Sequence, residues 1–515
     1  MQIFLNGQEL DLDPDARVAI TLQVNDLADI SKPNTSYTNR FNISKMSANN
    51  IKAFEYLGVP GSRTRIPYQM TNINVYEDSL PLIVNGYCAI EQVVPDSYSI
   101  NIYGSEKTFF ELLKSVTLKD IYPVTEIVWN GSTLLNYLNT TENFCFPVAQ
   151  YNAQTTESGY LTAQAYIRTY TTSTSPHFFV KYLFEKVFEH LGYTLEYPMT
   201  DETDFKNLVI SSKKGVSHFG TQNGALFNIQ QCMHDVACDV FVKEIMQRYG
   251  LVVKCDEFNK KITFIRMEDL LLNSPINDWS DKFDSLVNQK YTIGSYSQKN
   301  LYKYTDDIAD ANFPTFTPDF YANILDGTFE IDNELLPAEG TIFESSFSKA
   351  LYWGDVTLSN GYATQGRLFY TNYFFGHFLF DVAENKLDND NQLEIKEVPF
   401  QLMYLKTWPD EVDFTFLEPL GQQYTARVPI RLCTNDNISF QHYIDTHYGQ
   451  LVNLFDNMEV VKVKMKLSVV DIYQFDFFKR IYLEQFGSYF FVNKITNWEK
   501  NKLTEVELIK IPPVN

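Results

Sequence analysis

No stretch of roughly 18 consecutive apolar residues occurs in the chain, so no bilayer-crossing helix is expected. The opening MQIFLNGQELDLD lacks a basic segment followed by an apolar one, and no secretory signal is expected there. Cysteine is scarce, with six residues at 88, 145, 232, 238, 255 and 433. Scattered so widely, they fit neither a disulfide scaffold nor a zinc site, and synthesis in a reducing cytosol is the simpler expectation. Seven histidines stand at 177, 190, 218, 234, 377, 442 and 447, and the nearest two, His442 and His447, have no cysteine at zinc-ligand spacing. Cys232 and His234 supply two ligands on one helix or turn, which does not make a metal site.

Positive charge is also short. Lys and Arg total 42 against 64 Asp and Glu, a formal net charge of -22. Sequence-independent nucleic-acid binding needs a concentrated basic face, so it is not expected to dominate this surface. The pairs Lys213-Lys214 and Lys260-Lys261 read as solvated turns. No GxxxxGK[ST], GxGxxG or G-x-S-x-G motif occurs, which removes the common phosphate loops and the nucleophile elbow. Ser217-His218 has no sequence partner that would make it a triad, since triads are set by geometry.

What the chain has is length and aromatic surface. At 515 residues it exceeds one ordinary core, and about two to four domains are expected. Hydrophobic residues make up 44%, with 40 Phe and 33 Tyr, a composition that excludes disorder and favours sheets and subunit contacts. Asn6-Gly7 between Ile3-Phe4-Leu5 and Glu9-Leu10 predicts a tight hairpin. Strand-like alternation follows at 18–24, 37–43, 66–75, 82–84, 87–93 and 98–104, with a second hairpin turn expected at Asn85-Gly86 and a polar, turn-rich stretch over Asn25 to Thr35. Ser47-Ala48-Asn49-Asn50 predicts a capped helix ended by Gly58. Such repetition of short strands and tight turns describes a small barrel or sandwich.

The period then changes. A helical patch at 108–113 gives way to mixed material with an Asn130-Gly131 turn, and 160–174 reads as extended. Phe178, Tyr182, Phe184, Val187, Phe188 and Leu191 recur at helical spacing before Gly192. Phe241, Ile245, Met246 and Tyr249 repeat the pattern before Gly250, and a hairpin of 251–255 and 262–266 follows. After Pro275 the chain is expected to be strand-rich to its end, with extended patches at 291–304, 327–336, 393–398 and 421–431, strong alternation at 460–470, 481–498 and 503–511, and a short helical crossing over 471–479.

Paired carboxylates are the one catalytic option that composition leaves open. Glycoside cleavage needs two carboxyls roughly 5–10 Å apart in a sugar-sized cleft, and Glu106, Glu111, Asp201 and Glu202 are candidates among many. Trp279 reads as a packing residue against the helix-plus-hairpin unit rather than a ligand platform. No residue is assigned as catalytic, cofactor-binding or metal-ligating, and no cofactor is expected.

Several stretches together resemble the tail-tip and baseplate hub proteins of tailed bacteriophages, of the kind encoded by phages and prophages of gut Bacteroidetes-type hosts. They are QVNDLADISKPNTSYTNRFNISKMSANN at 23–50, LPLIVNGYCAIEQV at 80–93, KEIMQRYGLVVKCDEFNKKITFIRMEDLLLNSPINDWSDKF at 243–283, YTIGSYSQKNLYKYTDD at 291–307 and VVDIYQFDFFKRIYLEQFGSYFFVNKITNWEKNKLTEVELIKI at 469–511. The resemblance covers about half of the chain and leaves 310–450 weakly matched. It implies a mainly β fold with an α+β insertion, in which tail-tube-like β-barrel or sandwich domains flank a helix-containing middle domain. The implied division is 1–150 for an N-terminal barrel-like tube domain, 151–275 for a helix-plus-hairpin domain and 276–515 for a C-terminal β-rich domain, which is expected to share strands with the first.

The resemblance also implies a structural, non-enzymatic subunit that assembles with itself as a ring, a homotrimer in which two barrel-like domains per chain imitate a sixfold tube. Implied neighbours are tail tube, distal tail and tip proteins, with DNA passing only transiently. The implied setting is the virion tail, assembled in the cytoplasm of the bacterial host. No appended peptidoglycan-cleaving domain is expected after the last strands, which end close to Asn515. An acidic wall suits such a conduit, because like charge keeps DNA from sticking. Two rival readings remain open: a receptor- or glycan-binding protein using the 310–450 region, where Tyr370, Tyr373, Phe374, Phe375 and Phe378 cluster, and a cell-wall hydrolase.

Overall fold

The computed structural model describes residues 1–23, 36–130, 133, 136–137, 140–147, 176–213, 224–256, 259–291, 296–305, 325–348, 400–407, 431–434 and 437–512, and the backbone of 352–358, 363–369, 412–417 and 423–428. Side chains at 105–108 and 432–434 are not described. The turn-rich stretch with Asp26, Asp29, Ser31 and Pro33, the extended segments at 160–174 and 393–398, Gly131, and the Tyr370 to Phe378 cluster all lie outside the described residues.

The chain is mainly β, with 41% strand against 24% helix, and its largest element is a 14-stranded sheet. Eight of the strands come from the first hundred residues: β1 Gln2–Leu5, β2 Gln8–Glu9, β3 Ile20–Leu22, β4 Tyr37–Thr38, β5 Phe41–Ser44, β6 Thr71–Glu77, β7 Leu80–Val93 and β8 Ser97–Tyr103. The other six are β9 Ile276–Asp278, β10 Phe283–Lys290, β11 Val460–Lys466, β12 Arg480–Leu483, β13 Ser488–Trp498 and β14 Leu503–Lys510. The order β10-β11-β14-β13-β3-β4-β8-β7-β6-β1-β2 carries the sheet from one end of the chain to the other, with β9 and β12 branching from β13 and β5 from β8. The two halves meet where Ile20 lies opposite Trp498 and Leu22 opposite Ile495.

Local chemistry accounts for these strands. Asn6 and Gly7 have φ of 48° and 80°, the left-handed pair that a two-residue hairpin requires. Alternation is clean in β6, where Thr71, Ile73, Val75 and Glu77 are buried and Asn72 is exposed. One expected turn is absent: β7 runs unbroken through Asn85-Gly86. The β6–β7 hairpin turns instead at Asp78-Ser79, with φ of 49° and 65° and Glu77 opposite Leu80. Asn85, at φ 52°, belongs to a β-bulge, since Ile73 pairs with Gly86 and Val75 with Ile83. Gly86 is required there by space, because a Cβ would lie 2.4 Å from the Tyr103 carbonyl oxygen.

The side chains of these strands close one hydrophobic core, from Ile3 and Phe54 to Trp498 and Leu508. Trp498 is fully buried and its indole N–H donates to the Leu467 carbonyl at 3.0 Å. Trp279 also joins this core, 5.8 Å from Phe475 between ring centroids. It therefore packs inside the large sheet and not against the helix-plus-hairpin unit as expected from its sequence neighbours.

A second core gathers the middle of the chain, from Phe109 to Met458. Its described helices of seven or more residues before residue 275 are α2 Ser105–Ser115, α3 Val180–His190, α4 Cys238–Arg248 and α5 Met267–Asn273; the short α1, Ala48–Ala53, belongs to the first core. Phe178 and Phe179 lie in a strand, so α3 begins two residues after the start of its apolar period. Gly192 and Gly250, at φ of 77° and 56°, end the α3 and α4 segments as expected. The strands that follow them share one sheet: Thr194–Glu196 runs parallel to Lys261–Arg266, which pairs antiparallel with Leu251–Asp256. After Pro275 the chain is not strand-rich throughout. Two helices, α6 Phe440–His447 and α7 Gly449–Asp456, return to the second core. Each spans eight residues and they abut at Tyr448, too short a run for the 3.6-residue period to declare itself.

Candidate functional site

Among the described residues, the candidate carboxylates are each paired with a cation. Glu111 pairs with Lys114 at 2.8 Å, Asp201 with Lys206 at 3.0 Å, and Glu202 with the Arg266 guanidinium. Each is thus an ordinary neutralised carboxylate; the Glu106 side chain, Lys214, Ser217 and His218, like His377, lie outside the described residues. Lys213 bonds Asp235 at 2.6 Å and Lys261 bonds Glu196 at 2.7 Å, while the Lys260 ammonium sits 4.9 Å from the Tyr193 ring. Among the described residues, no group of three His, Cys, Asp or Glu is placed to hold a metal ion. Cys88, Cys145, Cys232 and Cys238 are buried free thiols, and burial alone pushes Cys88 up to about 12. Such thiols are inert at neutral pH.

The most concentrated chemistry inside the protein is an ion pair. Arg248 on α4 is fully buried and meets Glu244 at 3.3 Å. Its guanidinium also donates to the Tyr304 hydroxyl at 2.7 Å and the Ser345 hydroxyl at 3.2 Å, and it stacks on Phe440 at 4.4 Å. Glu244 accepts from the hydroxyls of Ser345 and Ser346, at 2.9 and 2.8 Å. Burial disfavours the cation, yet Tyr304 and Glu244 raise the Arg248 pKa overall. Removing one partner of such a pair costs about 3–5 kcal/mol, because the other charge is left buried and alone. The pair fastens α4 to Lys299–Thr305, Glu339–Ser348 and the start of α6. It is a fastening, with no opening to solvent.

An open cleft of about 520 Å³ is lined by Asn207, Tyr404, Lys406, Thr407 and Asn437. Asp204 accepts hydrogen bonds there from the Tyr404 hydroxyl and the Asn437 amide, both at 3.2 Å, and His442 lies 3.8 Å from the same carboxylate. The cleft is polar, with Asp204 standing beside it and bonded to two of its lining residues; none of its described lining residues is a carboxylate, whereas glycoside cleavage needs two.

The two ends of the large sheet differ. At one end β2 has two residues, and α1 covers it: the Asn49 amide donates to the Glu9 carbonyl at 2.7 Å and Gln8 donates to the Asn49 side chain at 2.6 Å. Fully buried Asn50 donates to the carbonyls of Asp11 and Ser44, at 2.8 and 2.9 Å. Ser47 caps α1 by accepting from the amides of Asn49 and Asn50, so the expected cap residue is the one used. At the other end β10 has eight residues and, among the described residues, pairs on one side only, with β11. Leu286 is 46% and Val287 40% exposed, so both faces of the strand meet solvent. A long edge strand exposed on both faces, with apolar side chains, is a template for another chain.

The segment leading into β10 is held firmly. Lys282 bonds Asp471 at 3.1 Å, and Arg480 donates to the Ser274 carbonyl at 2.9 Å. Burial pushes the Asp471 carboxyl up, but the Ser468 hydroxyl and amide and Lys282 together hold it below the usual range. No sequence pattern singled out β10, because FDSLVNQK alternates no more clearly than many polar segments; its exposure follows from its place in the strand order.

Among solved structures, the chain is similar to a 43 kDa tail protein of prophage MuSo2 from Shewanella oneidensis, with 7% identity over 99% of this chain and 97% of that one and a TM-score of 0.38. It is similar also to prophage tail protein gp18 from Listeria monocytogenes EGD-e, with 8% identity over 99% and 94% and a TM-score of 0.35. A third is the E. coli c3393 protein, a type VI secretion system component with structural similarity to T4 bacteriophage tail proteins gp27 and gp5, at 8% identity over 100% and 77% and a TM-score of 0.32. Likeness at this level fixes neither the fold nor the function of this chain. No family model and no curated protein matches it.

Proposed function

We propose that the chain is a structural subunit of a bacteriophage tail, forming the baseplate hub or tail-tip ring that continues or closes the tail tube and provides the DNA passage. The observation that carries this reading is β10, which among the described residues pairs on one side only and stands at the end of a sheet whose other end is covered. A strand edge of eight residues offers a neighbouring chain a place to add its own strand, although two register irregularities and the charges of Asp284 and Lys290 limit how many residues can pair. The quoted stretches at 23–50, 80–93, 243–283, 291–307 and 469–511 support the same reading and add a homotrimeric ring, neighbouring tube, distal tail and tip proteins, and gut Bacteroidetes-type hosts. On this reading the protein is not an enzyme, resides in the virion tail after assembly in the host cytoplasm, and turns acidic groups toward the passing DNA.

The three parts given by the resemblance, 1–150, 151–275 and 276–515, would then serve as tube wall, helical spacer and second wall. The test is the mass of the purified chain by sedimentation and native mass spectrometry, with negative-stain imaging of the same sample. Three copies around a central opening are expected. A monomer across the whole accessible concentration range overturns the ring.

A receptor- or glycan-binding role finds its support in the polar cleft beside Asp204 and Tyr404. Titration with host surface oligosaccharides, against an Asp204→Ala and Tyr404→Phe variant, separates that reading from the structural one.

A further inference from the structure

The segment between α1 and β6, residues 54–70, departs from the chemistry of the rest of the surface. In a chain of net charge -22, it exposes Arg63 and Arg65, with Lys52 just before it. None of these three cations has a carboxylate within ion-pair distance among the described residues, whereas lysines such as Lys114, Lys181, Lys213, Lys261, Lys282 and Lys500 are each paired. Beside them stand exposed apolar side chains: Tyr56 at 57%, Tyr68 at 83% and Met70 at 50%. Unpaired cations among aromatic and methionine side chains are what the centre of a protein contact looks like before its partner arrives.

The segment is built to hold this shape. Glu55 and Tyr56 adopt φ of 49° and 59°, and Gly58 adopts 74°. A Cβ on Gly58 would lie 2.7 Å from Val93, so the glycine lets the loop lie on the β7–β8 turn. Thr64 donates to the Glu55 carboxylate at 2.5 Å and Ser62 to the Glu55 carbonyl at 3.1 Å. Tyr98 stacks on Phe54 at 4.2 Å and its hydroxyl donates to the Leu57 carbonyl. A hollow of about 510 Å³ opens between Glu55, Tyr56, Val59, Pro60 and Arg63, with the Glu55 carboxylate bonded to Thr64, so the surface offers a receptacle fixed in advance, which lowers the entropic cost of binding.

The complement stands at the open end of the sheet. Over 276–291 the exposed carboxylates are Asp278, Asp281 and Asp284, with Lys282 3.8 Å from Asp281 and Lys290 exposed at the end of β10, and the exposed apolar side chains are Ile276 at 49%, Leu286 at 46%, Val287 at 40% and Tyr291 at 64%. Asp278 is held ionised by the Ser280 hydroxyl and amide, which keep its carboxyl below the usual range. The loop sets Lys52, Arg63 and Arg65 against Glu55, and the edge sets Asp278, Asp281 and Asp284 against Lys282 and Lys290, so the two patches are apolar with opposite net charge. They share no residue and lie on different elements, so a contact between them is heterologous, the kind that forms a ring when its rotation closes.

We propose that the 54–70 loop of one copy receives the β9–β10 edge of the next, with Arg63 and Arg65 facing Asp281 and Asp284 and an apolar side chain of β10 entering the hollow beside Tyr56. This rests on the ring reading and names the two surfaces that would make it. The test uses the full chain in three variants: Arg63→Glu with Arg65→Glu, Asp281→Lys with Asp284→Lys, and all four together. All changes are on exposed side chains, and circular dichroism and thermal melts identical to wild type certify the fold. Each double variant is expected to raise the concentration for half-assembly at least about tenfold at low salt, an effect that screening shrinks at about 1 M salt, and the fourfold variant to return within a few-fold of wild type. Wild-type rings indifferent to both double variants, or a fourfold variant no better than the doubles, overturn this contact alone. A wild-type chain that stays monomeric overturns the ring and the contact together. Short duplex DNA captured through Arg63 and Arg65 would assign the loop to nucleic acid and likewise overturn the proposal.

Discussion

His447 shows how one side chain ties the protein to pH. It lies in α6, 9% exposed, against the rings of Tyr249 and Tyr443. Burial lowers its pKa from 6.5 to about 4, with the positive Arg266 and His442 adding to the effect. The folded protein therefore keeps the imidazole neutral where the unfolded chain would protonate it. The unfolded state binds the extra proton between those two values, so this contribution is fully present above about 6.5 and is lost as pH falls toward 4. The most it can supply is on the order of 3 kcal/mol. His447→Gln, which cannot charge, is expected to lose less stability than wild type between pH 7 and pH 4.5, even if it starts lower because of its altered packing. Thermal melts of both proteins at the two pH values decide it; parallel losses would mean that other groups carry the acid sensitivity.

At the scale of elements, what was legible in the sequence was whatever local chemistry decides. Asn6-Gly7, the Ser47 cap, Gly192 and Gly250 each needed only their own neighbours. Asn85-Gly86 carries the same turn signal as Asn6-Gly7 and became a bulge, because the hairpin before it had already turned at Asp78-Ser79 and the strand must pass beneath Tyr103. That difference is measurable. Gly7 has φ 80° with nothing within 4 Å of an added Cβ, so Gly7→Ala is expected to cost about 1 kcal/mol, from backbone conformation alone. Gly86→Ala sets a Cβ 2.4 Å from the Tyr103 carbonyl and 2.7 Å from Ile83, and is expected to cost several kcal/mol or to prevent folding. Equal melting temperatures for the two variants would show that the bulge yields easily. The helices α6 and α7 and the exposure of β10 were hidden for a related reason: eight-residue helices carry little period, and whether a strand lies at an edge depends on partners far away in sequence. The candidate contact was accordingly the least legible part, since Arg63 and Asp284 gain meaning only once the strand order is known.

At the scale of the whole molecule, the chain closes on itself. Strands β11, β13 and β14, from the last sixty residues, complete the sheet begun by β1 to β8, and the core beneath it draws Val461, Trp498 and Leu508 from one end and Ile3, Ile43 and Ile100 from the other. Neither end can bury its apolar face alone. The second core has mostly its own residues, with only a few, such as Phe491 and Ile509, taken from the final strands. Ties that cross between the regions include Lys254 to Asp476 at 2.7 Å and Arg480 to the Leu271 and Ser274 carbonyls. Cooperative units follow buried contacts rather than chain order, so removal of residues 457–515 is expected to melt the first hundred residues while α3 to α7 stay folded. Limited proteolysis of the truncated chain, read by mass spectrometry, should show early cuts throughout 1–104 and a surviving fragment spanning the helices. If 1–104 instead persists as a protected piece, its eight strands form a self-sufficient sheet, and the final strands are an addition to it rather than half of its core.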